Sequence, residues 1–162
     1  MLPDLPRPKQ ATIYALVGDL WENNGSIQYV AHAITAGGTA TRLRDVIEGS
    51  GKGPANHPDQ LYWDSKRIAK VAGVQRIEID CTLMPCDGEF DGCLFRVPAL
   101  VAACGYANVP LRIFSHRDEG AGGGGSTKRY FLCNTGQKNA ELKAAFAQHG
   151  GWGWTPWNGT YA

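Results

Sequence analysis

The chain has 162 residues, the length of one domain, with 43% apolar and 19% charged residues and a mean hydropathy of −0.27; this composition excludes a disordered or membrane-embedded chain. Sixteen basic against fifteen acidic residues leave a net charge of +1, which neither demands nor forbids nucleic acid. Five cysteines, an odd number, exclude a fully paired disulfide scaffold within one chain, so some of these thiols need a structural, metal-binding or catalytic explanation. The opening Met1-Leu2-Pro3-Asp4-Leu5-Pro6-Arg7-Pro8 has no signal-peptide layout and reads, over residues 1–10, as a Pro-stiffened lead-in to a single domain over 1–162. Ala11 to Val17 and Ile27 to Ala31 read as two strands, and Asn23-Asn24-Gly25 between them predicts a hairpin. Thr35 to Thr41 is rich in Gly and Thr, Arg42 to Glu48 is read as a short helical turn, and Gly49 to Pro54 as a loop.

From His57 to about Ala72 the spacing predicts a helix, with Leu61, Ile68 and Val71 on its apolar face and Gly73 as its stop. Arg76 to Leu83 alternates as a strand that ends at Pro85. After Cys93 the pattern turns helical through Leu94, Val97, Val101 and Cys104. Pro98 denies one backbone bond, so this helix is expected to start nearer Arg96 or to kink. Pro110 to Ser115 and Arg129 to Cys133 follow as strands, and Gln137 to Gln148 as a last helix with Leu142, Ala145 and Phe146 inward. Residues 120–126, Gly-Ala-Gly-Gly-Gly-Gly-Ser, have the composition of a flexible linker, either an inserted one or a natural mobile loop. Strands alternating with helices predict an α/β domain with a mixed sheet of about five strands flanked by helices.

The informative arrangement is strand, Pro-Cys, loop, Cys, helix: Ile77 to Leu83, then Pro85-Cys86, then Cys93. His57 opens the preceding helix 29 residues before Cys86, with an acid two positions on at Asp59. In these residues the chain resembles the zinc-dependent nucleoside and nucleic-acid deaminase superfamily, whose signature is H-x-E at one helix start and P-C-x-x-C at another. Two features depart from that signature. The acid is Asp rather than Glu, one methylene shorter, and the thiols are spaced C-x6-C, a loop with two glycines that can return the second thiol.

The resemblance implies a cytidine deaminase-like fold, with His57, Cys86 and Cys93 holding Zn2+ and Asp59 shuttling the proton. The donor chemistry agrees. Zinc takes Cys and His ligands and, in catalytic sites, keeps one position for water, while a neighbouring carboxylate can move that water's proton to the leaving group. The implied reaction is hydrolytic deamination of a nucleobase, above all cytosine in DNA or RNA. Trp63, Phe90 and Tyr106 are candidates to stack a base, and Arg42, Arg44, Arg117, Lys128 and Arg129 to meet phosphate. The tryptophans at 152, 154 and 157 read more readily as a tail packed over the sheet.

The last two strands, joined by a short interval, resemble the hairpin of bacterial toxin deaminases. The small size and Pro-rich opening also resemble a detached C-terminal toxin domain, which implies delivery by secretion within a larger toxin and a cognate immunity protein as partner. Five thiols read as all reduced point to action in a reducing cytoplasm, with no membrane association expected. Two other classes compete. A cysteine hydrolase would use Cys93 as nucleophile and His116 as base. An inactive binding module of the same fold would use its thiols only as core. Cys81, Cys104 and Cys133 lie in strand or helix patterns and are expected as buried thiols.

Overall fold

A computed structural model describes residues 27–49, 57–81, 92–115, 129–148 and 155–156. The element order is β1 (Ile27–Thr35), β2 (Ala40–Arg42), β3 (Ile47–Gly49), α1 (Pro58–Leu61), β4 (Val74–Cys81), α2 (Cys93–Ala103), β5 (Pro110–Ser115), β6 (Arg129–Asn134), α3 (Asn139–Gln148) and β7 (Thr155–Pro156). One mixed sheet holds every described strand in the order β2-β1-β4-β5-β6-β7, with β3 also on β1. The β4–β5 pair is parallel, with α2 between the two strands in the chain, and the other pairs are antiparallel. The chain is therefore α/β with a mixed sheet. The β5–β6 pair is the expected late hairpin.

The first described hairpin joins β1 and β2. Its turn is Ala36 to Thr39: Gly38 N donates to Thr35 O at 2.9 Å, and Gly38 adopts φ +81°, a conformation glycine takes without steric cost. The first predicted strand, Ala11 to Val17, and its Asn-Gly turn lie outside the described residues. Arg42 to Glu48 is not a helical turn. Residues 40–42 pair with β1 in one register and 47–49 in another, so Leu43 to Val46 form a bulge with two more residues than the facing strand.

Directly paired residues share a face of a sheet. Tyr29, Ala31 and Ala33 therefore line up with Cys81, Ile79 and Ile77, and these in turn with Leu111 and Ile113 on β5. All are buried, and they form one core with Leu94, Val97 and Val101 of α2, Leu142 of α3, and Tyr62 and Trp63. The opposite face carries His32, Glu78 and Arg112 in one cross-strand row. Glu78 is fully buried there, and Arg76 and Arg112 reach its Oε1 at 3.1 and 3.6 Å.

The helix predicted over 57–72 is one turn. It stops because Tyr62 and Trp63 turn into the core, and because Asp64 Oδ1 takes the Lys66 N–H at 3.0 Å, replacing a helical bond. Leu61, predicted inward, is 48% exposed. The α2 helix begins at Cys93, with Gly92 as its N-cap, and runs through Pro98. Its buried face of Leu94, Phe95, Val97 and Val101 offsets the backbone bond the proline cannot make. At the C-terminal edge, β7 pairs with β6; the tryptophans around it and residues 120–126 lie outside the described residues. Among the described residues no helix is long and apolar enough to cross a membrane.

Candidate metal centre

The helix starts are the places where backbone geometry aims short side chains at one point. His57 precedes α1 with an extended backbone, and Pro58 opens the turn. Two residues on, Asp59 is buried and 8% exposed. Cys93, the first residue of α2, is fully buried. Because α1 packs against α2 and β1, these three side chains converge: the ligand atoms of His57, Asp59 and Cys93 all lie within 4.8 Å of one another.

Within the cluster, His57 Nδ1 lies 3.2 Å from Cys93 Sγ. Two zinc ligands at Zn–N and Zn–S bond lengths subtend about 3.6 Å across a tetrahedral edge, so the observed spacing is close to what one ion requires. The donor set of imidazole, thiol and carboxylate suits a borderline transition-metal ion. These residues can therefore hold a metal ion.

Gln60 completes the surroundings of Cys93. Its Nε2 donates to Sγ at 3.3 Å, and its Oε1 accepts from Arg96 Nη1 at 3.4 Å. A guanidinium only donates, so Arg96 fixes the amide orientation and points the N–H at sulfur. The residue sits three positions after His57, on the same face of the helical turn, and that spacing was its only signal in the sequence.

Beneath the cluster lies an aromatic floor. Tyr29, Tyr62 and Trp63 meet edge to face, with ring centroids 5.2 to 6.4 Å apart, and Trp63 Nε1 donates to Tyr29 Oη at 2.9 Å. Burial, and after it the charge of Asp59, holds the Tyr29 hydroxyl well above its ordinary ionisation range. The same two causes raise the thiol of Cys81, which pairs with Tyr29 across the sheet. Asp59 thus faces two neutral, protonated groups at the end of β4. The carboxylate sits over the C-terminal end of a parallel strand, where open α/β sheets present their ligand crevices.

The other predicted site residues fall differently. Cys86, Phe90 and His116 lie outside the described residues. Trp63 is 6% exposed and boxed by Tyr29 and Tyr62, the setting of a core ring. Tyr106 follows the C-terminal end of α2, about 15 Å of helix away from Cys93. Its hydroxyl donates to Ala69 O at 2.6 Å and accepts from Val71 N at 2.9 Å, tying down the segment before β4. Cys81, Cys104 and Cys133 are buried free thiols; burial raises all three, Cys133 to about 12.

No family model, curated protein or solved structure matches this chain.

Proposed function

We propose that the protein is a zinc-dependent deaminase of nucleobases with a cytidine deaminase-like fold, acting on cytosine. The observation that carries this reading is the convergence of His57, Asp59 and Cys93 at two helix starts, beside the end of a parallel strand. The resemblance of these helix starts to the deaminase signature supplies the reaction.

In this reading His57 and Cys93 hold the ion, joined by Cys86. Zinc, when bound, supplies a water acidified towards neutral pH. Asp59 does the proton work: its carboxylate accepts the water's proton and hands it to the departing amine. The balance is one water consumed, a C4–O bond formed, the C4–N bond broken, and ammonia released with uracil left behind. Asp59 suits this role because its carboxylate is buried within the same cluster as His57 and Cys93. Gln60 and Arg96 orient Cys93, and the aromatic floor keeps water from the underside.

The test is ammonia release from cytidine and from cytosine-containing oligonucleotides, with Asp59→Asn as the control. The expected loss in the variant is about 100-fold or more, with metal content unchanged. An Asp59→Asn variant at full rate, or wild-type protein that deaminates none of these substrates, would overturn the reading.

One contact favours a second reading. A thiol at a helix start with an imidazole nitrogen at 3.2 Å is also the arrangement of a cysteine nucleophile and its base. In this form of the cysteine-hydrolase alternative the base is His57. It predicts metal-free protein alkylated selectively at Cys93, the opposite of the zinc reading.

A further inference from the structure

The bulge between β2 and β3 opens a cavity of about 530 Å3 lined by Arg42, Arg44, Asp45, Val46, Ile47 and Arg67. Three guanidinium groups line the basin against the carboxylates of Asp45 in its wall and Asp64 beside Arg67, leaving an excess of positive charge here. We propose that this basin binds the backbone phosphate of a single-stranded polynucleotide whose neighbouring base lies at the His57–Asp59–Cys93 cluster. The proposal rests on the deaminase reading for what the cluster does, and it narrows the substrate from any nucleoside to a polymer.

The three arginines are not held alike. Arg44 is fixed: its Nη1 donates to Leu61 O at 3.0 Å and Tyr62 O at 2.9 Å, and the guanidinium lies over the Tyr62 ring at 5.7 Å. Two of its five N–H donors serve the carbonyls, and the group stays pre-placed on the basin wall. Arg42 and Arg67 are held loosely. Arg42 meets the almost fully exposed Asp45 at 3.9 Å, and Arg67 meets the half-exposed Asp64 at 3.6 Å. Such exposed pairs open readily, so both side chains can turn onto an incoming anion. Planar guanidinium forks match phosphate oxygens, which is the chemistry of one fixed and two adaptable contacts.

Position selects the polymer. The carbonyls that anchor Arg44 end α1, and His57 precedes its first residue, about 6 Å of helical rise away. Leu61, whose carbonyl is one of those anchors, is the exposed large apolar side chain among the described residues and offers a surface for a sugar or base. In the proposed arrangement the base at the cluster carries its flanking phosphate to the basin, whereas a free nucleoside has no phosphate to place there. The bulge thus extends the reach of the site along a strand.

The test uses the full chain after metal removal, so that no turnover enters the readout. Anisotropy of labelled single-stranded DNA and RNA oligomers of about twelve nucleotides is read across a salt series. Arg42→Gln with Arg67→Gln is expected to weaken binding of at least one polymer about tenfold or more. It should also flatten the slope of log K against log salt by about 0.7, the share of one phosphate in a single strand. Arg44 is left intact, since it pins the α1 turn. Unchanged affinity and slope in the double variant would overturn the proposal, as would failure of the wild type to bind either polymer at low salt. Poly-glutamate competing as well as the oligonucleotide would also overturn it, in favour of an acidic protein. Loss of binding in the variant, in a protein that deaminates nothing, would uphold the phosphate site and sink the deaminase reading alone.

Discussion

Replacing Tyr62 by Phe removes one oxygen from the point where the bulge and β1 are fastened to the turn after α1. The hydroxyl donates to Arg44 O at 2.6 Å and accepts from Ala31 N at 3.1 Å, and the residue is fully buried. Phe fills the same ring volume, so packing with Tyr29 and Trp63 is kept, and the cost is one buried N–H and one part-buried carbonyl without their partner. At about 1 to 3 kcal/mol for each unsatisfied group, with partial relaxation, the variant should lose about 2 to 4 kcal/mol. In urea this reads as a lower midpoint at unchanged slope, and on heating as a fall of about 5 to 15 °C. A loss below about 0.5 kcal/mol would refute the reasoning, because surface substitutions reach that size without any buried bond.

Three further outcomes follow from particular contacts. Glu78→Gln leaves Arg76 and Arg112, both mostly buried, facing a neutral partner, and should cost about 2 to 4 kcal/mol in urea unfolding. Gln60→Leu removes the N–H on Cys93 Sγ and should weaken metal affinity about 10-fold or more in a chelator competition, while far-UV circular dichroism stays unchanged. Alkali should destabilise the protein through its buried acids. Burial raises Cys133 from 9.0 to about 12, so the folded state keeps a proton that the unfolded chain releases. Stability from this group is complete below about pH 9 and is lost as pH rises towards 12. Cys133→Val should accordingly recover about 2 kcal/mol of the loss seen at about pH 10.5.

The strands β4, β5 and β6 were legible because their side chains alternate between two buried faces, and Ile77, Ile79 and Ile113 mark the core side unambiguously. The helix from 57 was misread in length because Leu61 and Ile68 have helical spacing. Aromatic burial at Tyr62 and Trp63 and the Asp64 turn outweigh that periodicity locally. The bulge was invisible for the same reason: Leu43 and Val46 are three apart, as in a helix, while their partners on β1 are far away in sequence. At the site, His57, Asp59 and Cys93 are legible only jointly, through the likeness of the two helix starts to the deaminase signature. Gln60 and Arg96 are not, since their role exists only once α1 and α2 pack together.

Whether His57 and Cys93 hold a metal ion beside Asp59 is read most directly from the metal content of the purified chain. Elemental analysis after zinc-supplemented expression should give one equivalent of zinc per chain for the wild type. His57→Ala and Cys93→Ser should carry next to none while keeping their circular dichroism. A folded wild-type protein without metal, or a Cys93→Ser variant that retains the full equivalent, would contradict the account.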